Sequence, residues 1–176
     1  NIEVEIRSFI SEEKYELLLD FFKQNSKFIN EDEQETHYFD CKEDLRIQSN
    51  KHFCKVWLKK GKLHDNHREE IEVKLPKEDF CNLQKLFSAL GHSTEIKWFR
   101  KRHTFSWDGI SVMLDHTKGY GHIIELEKMS DEDNKEKDLE ELKVKLSSLN
   151  IPLTPKDEFS KKYEDYKENW QELIQN

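Results

Sequence analysis

The sequence predicts a mainly β domain of the α+β class, in which about eight antiparallel strands close into a barrel and helices pack on its outside. Three segments lead to this prediction, because apolar and charged residues alternate strictly in each. The first begins at Glu3 and reads Glu-Val-Glu-Ile-Arg, the second begins at Glu70 and reads Glu-Ile-Glu-Val-Lys, and a shortened form begins at Glu125. Such alternation gives a β-strand one apolar and one charged face. Closing the sheet would leave no exposed strand edge and would turn the charged faces inward.

The first half of the chain is predicted to contain five strands and two helices. Ser11 is a typical N-cap, and the two glutamates after it favour a helix start. Pro76 ends a strand, and Gly91 is a typical stop signal for the second helix. The acidic stretch 30–35 is interpreted as a loop. The predicted strands lie at about 2–9, 37–40, 45–49, 53–60 and 68–75, and the helices follow Ser11 and span about 80–90.

The second half is predicted to contain three further strands and two helices. The segment Trp107–Gly109 is typical of a hairpin turn. Thr154 and Pro155 form a typical N-cap and first-turn pair for the last helix. The predicted strands lie at about 95–105, 110–116 and 122–128, and the first of the two helices spans about 131–149.

Length and charge restrict the class of protein. The 176 residues are enough for one domain with its own core, and we expect a single domain over residues 1–176. The net charge of −8 argues against a nucleic-acid-binding protein that depends on bulk electrostatics. Charged residues make up 38% of the chain, which is high for a folded domain. Because strands and helices are nonetheless clearly patterned, part of this charge is expected to line an interior.

Cysteine usage and hydropathy predict a cytoplasmic protein. Cys41, Cys54 and Cys81 are odd in number and show no CxxC spacing, which is typical of free thiols in a reducing compartment. No stretch is long and apolar enough to predict a membrane span, and no signal peptide is visible. We therefore expect no membrane and no nucleic-acid partner, and either a monomer or a homodimer.

The charged strand faces carry the residues that predict chemistry. Glu3, Glu5 and Arg7 share one face of the first strand. Further carboxylates and bases share the faces of other predicted strands, and ligation by carboxylates alone indicates hard Mg²⁺ or Mn²⁺ rather than zinc. Metal ions beside a cationic lining would form a receptor for a highly anionic ligand such as a polyphosphate. The other residues of this set are Arg46, Lys55, Lys59, Arg68, Glu70, Glu72, Lys74, Arg100, Arg102, Asp115, Glu125 and Glu127.

Other interpretations of these and of neighbouring residues stay open. A single Glu-x-Glu-x-base strand is usually a solvated face with cross-strand ion pairs, so the barrel could carry its charges without a site. His64 and His67 lie three residues apart, but the segment is typical of a polar loop without further ligands. Trp57, Trp98 and Trp107 could stack an organic ring, although packing in the core is favoured.

Several motifs together resemble the CYTH superfamily, the triphosphate tunnel metalloenzymes. They match in order over nearly the whole chain, and the ending with Leu-Asp, glycine and then Glu-x-Glu is the most specific. The motifs are EVEIR from Glu3, YFD from Tyr38, LRI from Leu45, WLKKG from Trp57, REEIEVK from Arg68, FRKRHTF from Phe99, LDHTKGYGHIIELE from Leu114 and SKKYEDY from Ser160.

The resemblance implies an eight-stranded antiparallel tunnel that binds triphosphate-bearing substrates with Mg²⁺ or Mn²⁺. It also implies that the C-terminal helix plugs one tunnel mouth, where Lys161 or Lys162 would reach in. The implied catalytic and metal-side carboxylates are Glu3, Glu5, Glu125 and Glu127, assisted by Asp115 and by Glu72 or Glu70. The implied phosphate-binding bases are Arg7, Arg46, Lys59, Arg68, Arg100 and Arg102.

The sequence departs from the family pattern at two positions. Arg7 stands where the motif usually ends in Lys, and Gln48 stands in place of an Arg. A neutral Gln48 would remove one phosphate contact. The expected function is hydrolysis of a triphosphate, with tripolyphosphate, thiamine triphosphate or ATP as substrate. A class IV-type adenylyl cyclase that makes cyclic AMP, or a tunnel that binds polyphosphate or nucleotide without turnover, is the alternative.

Overall fold

The computed structural model describes residues 2–60 and 70–175 and is mainly β. Its described residues form eight strands and four α-helices, which confirms the predicted class. In chain order the elements are β1 (Ile2–Ile10), α1 (Glu12–Asn25), β2 (Lys27–Phe39), β3 (Asp44–Ser49), β4 (Phe53–Lys59), β5 (Glu70–Pro76), α2 (Phe80–Ala89), β6 (Thr94–Trp107), β7 (Ile110–Thr117), β8 (Gly121–Ser130), α3 (Lys135–Ser148) and α4 (Lys156–Leu173).

All eight strands belong to one antiparallel sheet with the order β1-β8-β7-β6-β2-β3-β4-β5. The prediction of a closed barrel is not confirmed, because no ladder joins β1 to β5 over residues 2–60 and 70–175. The segment after α3 occupies part of the β1 edge instead. The Phe9 backbone N–H donates to Thr154 Oγ1 over 3.0 Å, and Ser8 Oγ donates to the Pro152 carbonyl over 3.0 Å. A side-chain cap of this kind protects an edge strand without closing the sheet.

The prediction of a loop at 30–35 is wrong, because these residues lie within the long strand β2. The acidic residues on its outer face find basic partners across the ladder to β6. Glu31 accepts hydrogen bonds from Lys101 Nζ at 2.9 Å and from His103 Nε2 at 3.1 Å. Opposite charges on neighbouring strands stabilise a sheet, so this acidic segment forms a strand despite its polarity.

The apolar faces of the strands pack against helices on the outside of the sheet. Val4 and Ile6 of β1 are buried together with Leu18 and Phe22 of α1 and Leu142 of α3. A smaller cluster under α2 contains Phe80 and Leu83 of that helix and Phe39, Ile47 and Cys54 of the sheet. Since the apolar residues of each strand face the helices, the intervening charged residues face the inside of the curved sheet.

The last helix, α4, is fastened to β6 through its aromatic residues. The Tyr166 hydroxyl donates to the Lys97 carbonyl at 2.8 Å, and Trp170 Nε1 donates to the Glu95 carbonyl at 2.9 Å. Tyr166 is 1% exposed, so its hydroxyl needs such a partner. These contacts fix α4 across one end of the curved sheet. None of the four described helices has the length and apolarity of a membrane span.

The packing of α1 predicts unequal effects of two neighbouring phenylalanines. Phe22 is 0% exposed and stacks near Phe105, whereas Phe21 is 37% exposed. Phe22→Ala should lower the free energy of unfolding by about 3–5 kcal/mol, because it leaves a cavity in the core. Phe21→Ala is the matched control and should cost less than about 1.5 kcal/mol. Urea denaturation measures both values, and equal losses would contradict the described orientation of α1.

Candidate functional site

The inside of the curved sheet encloses a charged cavity of about 230 Å³. Side chains from all eight strands line it, together with Phe159 and Tyr163 of α4. Both edge strands contribute, since Glu5 comes from β1 and Glu70 from β5. The sheet is therefore open in its hydrogen bonding but curved far enough to surround one space.

Strand alternation places the predicted bases in this cavity. Glu3, Glu5 and Arg7 of β1 line it, whereas Val4 and Ile6 between them pack against the helices. Arg68 and the His64–His67 segment lie outside the described residues. The predicted phosphate-binding residues that line the cavity are Arg7, Arg46, Lys59, Arg100 and Arg102, and Lys55 joins them.

Two arginines of β6 are held in fixed orientations by acceptors inside the cavity. Arg102 donates from Nε to Asp115 Oδ1 at 2.8 Å and from Nη2 to Asp115 Oδ2 at 2.6 Å. Arg100 donates from Nε and Nη2 to Gln34 Oε1 at 2.9 Å and 2.6 Å. A bidentate carboxylate fixes the plane of a guanidinium. Asp115 was predicted as a metal ligand, but in this structure both of its oxygens accept from Arg102.

The electrostatic field keeps Arg102 charged. Burial lowers the pKa of Arg102, but the charges of Asp115 and Glu125 raise it more, so the pKa lies above its ordinary value. Burial and the neighbouring Arg102 lower the pKa of Arg100. An arginine pKa is so high that both side chains stay cationic at neutral pH.

Arg46 lies at the end of the cavity that α4 covers. Its Nε and Nη2 atoms donate to the two carboxylate oxygens of Asp44 at 2.6 Å and 2.7 Å. Its guanidinium carbon lies 4.3 Å from the centroid of the Tyr38 ring and 5.7 Å from that of Trp57. This cation is therefore stacked on aromatic faces and also paired with a carboxylate.

The four predicted catalytic glutamates all line the cavity, and two of them have opposite pKa shifts. Burial raises the pKa of Glu125, but Arg102, Arg7 and Arg100 outweigh it and lower the pKa to about 2. Burial, a hydrogen bond with Glu3 and the charges of Glu3 and Glu125 raise the pKa of Glu127 to about 8.

Glu5 shows a weaker form of the same crowding. Burial and the charge of Glu125 raise its pKa, while Arg7 and Lys59 oppose the rise. The cavity therefore holds one firmly ionised carboxylate, Glu125, beside Glu5 and Glu127, whose pKa values are both raised. Paired carboxyls with separated pKa values are typical of acid–base sites.

The two predicted acids of β5 are placed differently. Glu70 lines the cavity and forms an ion pair with Lys59. Glu72, predicted as a metal ligand, pairs with Lys55 Nζ at 2.6 Å and is more exposed. The hydrogen bond and charge of Lys55 lower the pKa of Glu72 although partial burial raises it. Of these two acids, Glu70 is thus the one that faces the cavity in which a ligand would bind.

The carboxylates fit a divalent metal ion only in part. Over residues 2–60 and 70–175, no three side chains of His, Cys, Asp or Glu converge closely enough to hold a cation by themselves. The donors that crowd together, Glu3, Glu125 and Glu127, are all oxygen ligands, and Glu127 carries a proton where a cation would relieve the repulsion. Mg²⁺ is usually bound by one or two carboxylates together with substrate phosphates. The set therefore fits an Mg²⁺ whose coordination a phosphate ligand completes.

Sequence reasoning missed Gln34, which forms a neutral part of the lining beside the predicted Gln48. Gln48 Nε2 donates to Thr36 Oγ1 at 2.9 Å and lies 3.4 Å from Gln34 Oε1. Strand alternation could have placed Gln34 and Thr36 inside, but the loop interpretation of 30–35 concealed it. Trp57 and Trp98 line the cavity as well as being largely buried, so the expectation of pure core packing was incomplete for both.

The predicted lysines of α4 take another position. Lys162 Nζ lies 5.0 Å above the Phe9 ring and 5.6 Å above the Tyr120 ring. In the described part of the chain neither Lys161 nor Lys162 lines the cavity, and α4 contributes Phe159 and Tyr163 instead.

Solved structures share this fold. PH1819 from Pyrococcus horikoshii is 24% identical with a TM-score of 0.74, and the match covers 86% of this chain and 92% of that one. A conserved hypothetical protein from Pyrococcus furiosus is 24% identical with a TM-score of 0.72, over 85% of this chain and 91% of that one. HpAC1 from Hippeastrum is 23% identical with a TM-score of 0.62, over 86% and 88%. At these identities the similarity shows the fold alone.

Comparison of the sequence with known families gives the more specific result. No curated protein matches the chain significantly. The CYTH domain profile matches residues 1–158, which include all eight strands, the cavity glutamates and the first residues of α4. This chain therefore belongs to the CYTH family.

Proposed function

We propose that this protein is a divalent-metal-dependent hydrolase of triphosphate-bearing substrates. The observation that carries the proposal is the composition of the cavity, where at least five cationic side chains surround carboxyls with oppositely shifted pKa values. Family membership supports it, and HpAC1 from Hippeastrum, which shares the fold, is reported to have a dominant triphosphatase activity.

The cations would hold the phosphate chain and stabilise its transition state. Arg100 and Arg102 are fixed by Gln34 and Asp115, so their N–H groups are oriented before a ligand arrives. Positive groups that need no reorganisation stabilise the charge that spreads over a transferring phosphoryl group. Lys59 of β4 and Arg7 of β1 line the same cavity and would complete the cationic enclosure.

Glu127 and Glu125 would have different roles. Glu125 is ionised over the whole physiological range and would anchor the cation. Burial and the charges of Glu3 and Glu125 raise the pKa of Glu127 to about 8, and a cation held at Glu125 would lower that pKa again. The ionised carboxylate of Glu127 would then accept a proton from the attacking water. A bound Mg²⁺ or Mn²⁺ would neutralise phosphate oxygens and make that water more acidic. Glu3 and Glu5 would then position the same water and phosphate.

A second candidate function is an adenylyl cyclase. The aromatic side chains at the α4 end of the cavity favour it, because Tyr38, Trp57, Trp98 and Tyr163 present ring faces beside the cations. Such rings can stack on a purine or on a thiamine ring. The two functions differ in the attacking group, which is water in one and a ribose hydroxyl in the other, so the product identifies the function.

We also propose that ligand binding closes the sheet into a barrel. β1 and β5 run antiparallel on opposite edges, and a register that sets Arg7 opposite Glu70 also sets Ile6 opposite Ile71. Ile71 and Val73 are 50% and 53% exposed in the open sheet. Pairing would bury these side chains beside the apolar face of β1 and would satisfy both edges.

The first prediction from the proposed function concerns the reaction products. With Mg²⁺ or Mn²⁺, the protein should release orthophosphate from tripolyphosphate, and ATP and thiamine triphosphate should be tested beside it. Glu125→Gln should lower the rate at least about 100-fold, because it removes the charge that anchors the cation. The control Glu136→Gln, on the exposed surface of α3, should change the rate less than about twofold. Cyclic AMP from ATP would favour the cyclase, and binding without any product would favour a non-catalytic tunnel.

The second prediction concerns stability and pH without metal. Because the folded pKa of Glu127 lies above the unfolded value of 4.5, its contribution to stability is full below pH 4.5 and is lost as the pH rises through about 8. In the presence of EDTA, the free energy of unfolding of Glu127→Gln should therefore rise by roughly 2–4 kcal/mol relative to that of the original protein between pH 5 and pH 9. Denaturant titrations measure the difference. The exposed Glu168→Gln control should show no such trend. If the stability of Glu127→Gln had the same pH dependence as that of the original protein, the raised pKa of Glu127 would be contradicted.

The third prediction tests closure. Addition of Mg²⁺ with tripolyphosphate should slow amide hydrogen exchange in β5 and in the β1 residues up to Arg7, because new ladder bonds protect these amides. β7 lies inside the sheet and serves as the internal reference. Protection that is confined to residues around the cavity, with β5 unchanged, would show that the sheet stays open.

A further inference from the structure

A second cavity adjoins the first at the end of the phosphate-binding row. Gln34 and Arg100 line both cavities, so the two spaces meet at these residues. The second cavity is more open, and its wall includes Lys51, Lys77 and Lys118. In the described ranges none of these three exposed lysines forms an ion pair, so they are available to an anionic chain. The same wall also carries four acids, namely Glu31, Asp32, Glu33 and Glu35.

A buried carboxylate, Asp32, stands in the wall of this second cavity. Its residue is 8% exposed and lies directly opposite Arg102 in the β2–β6 ladder. Asp32 Oδ2 accepts from Gln34 Nε2 at 3.0 Å and from Asn50 Nδ2 at 3.0 Å. Two amide donors from separate parts of the chain therefore fix the orientation of this carboxylate.

The other oxygen of Asp32 is left without a hydrogen-bond partner. Among the described residues Asp32 Oδ1 has no donor within reach, and Asp32 forms no ion pair. Arg102, although opposite in the ladder, donates to Asp115 and Glu125 instead. Buried polar atoms are nearly always paired in folded proteins, so this carboxylate oxygen is available to a donor or a cation that enters the cavity.

We propose that Asp32 limits the length of the phosphate chain that the cavity accepts, an inference that rests on the proposed triphosphatase function. Gln34 joins the two sides, because its carbonyl accepts from Arg100 and its amide donates to Asp32. A phosphate bound at Arg100 is therefore one residue away from a fixed negative charge. The next phosphate of a longer chain would have to pass Asp32, and screening is weak beside a buried carboxylate.

The alternative is that Asp32 Oδ1 accepts a cation that accompanies a longer chain. The two roles predict opposite effects of the same substitution. Removal of a barrier would strengthen binding of long chains, whereas removal of a cation ligand would weaken it.

The test compares Asp32→Asn with Glu136→Gln in the full chain. The amide introduced by Asp32→Asn can keep its carbonyl oxygen toward Gln34 and Asn50, so the hydrogen bonds survive while the charge is lost. Asp32→Ala is the second variant should Asp32→Asn fold poorly. Glu136 is exposed on α3, lines neither cavity and serves as the control for loss of one negative charge. Tripolyphosphate and a long-chain inorganic polyphosphate are offered separately with Mg²⁺.

Asp32→Asn should raise kcat/KM for the long chain about tenfold through a lower KM, and should change kcat/KM for tripolyphosphate less than about threefold. Glu136→Gln should leave the ratio of kcat/KM for the two substrates unchanged. An unchanged or lowered preference for the long chain in Asp32→Asn would overturn the proposal. Calorimetric binding of both phosphates is measured in parallel, so that an inactive protein still reports chain-length selection while refuting the hydrolase function.

Discussion

Compensation among buried charges on the concave side of one curved sheet is the constraint on which this structure depends. Charged groups taken out of water must pair, bind a ligand or change their protonation. Pairing and changed protonation both occur in the cavity. Arg102 pairs with Asp115, Glu127 retains a proton, and Arg100 shares its N–H groups with a neutral amide. The cations and carboxyls that line the cavity are therefore only partly balanced, and a metal–triphosphate complex would supply charges of both signs.

The architecture of the sheet leaves the charges that line the cavity only partly balanced. Helices cover the apolar outer face, and this packing fixes the direction of the inner side chains. The four described helices add no charged side chain to the lining of the cavity. The edge of β1 is capped at Ser8 and Phe9 by the segment that leads into α4, while β5 pairs only with β4 in the described ladders. Two edges that do not pair allow the cavity wall to adjust, and the proposed closure would occur only when a ligand has neutralised the interior.

Much of this arrangement could be predicted from sequence, because alternation with a period of two determines which side chains share a face. Glu3, Glu5 and Arg7 were placed together by this rule alone, and the structure finds all three in one cavity. The loop prediction at 30–35 failed because the outer acids of β2 are stabilised by Lys101 and His103, which lie some 70 residues further along the chain. Local patterns cannot show partners at that separation. The same limit applies to the open edge between β1 and β5, which depends on how far the sheet curves.

Residue roles were harder to predict than residue positions. Asp115 and Glu125 were both predicted as metal ligands, yet Asp115 gives both oxygens to Arg102. Asp32 and Gln34 carried no motif at all and became visible only through the contacts that join the two cavities. A carboxylate in a strand can pair with a basic side chain, bind a metal ion or contact a ligand. Its neighbours in the folded structure determine which of these roles it takes.

Thermal unfolding with Mg²⁺ alone, with tripolyphosphate alone and with both tests the central claim most directly, since a ligand that binds only the folded state raises its stability. Within residues 2–60 and 70–175 the carboxylates do not converge enough to hold a cation by themselves, so Mg²⁺ alone should shift the unfolding temperature little. The two ligands together should shift it by more than the sum of the separate shifts. Additive shifts, or no shift with both, would contradict a cavity whose charge balance is completed by a metal–triphosphate complex.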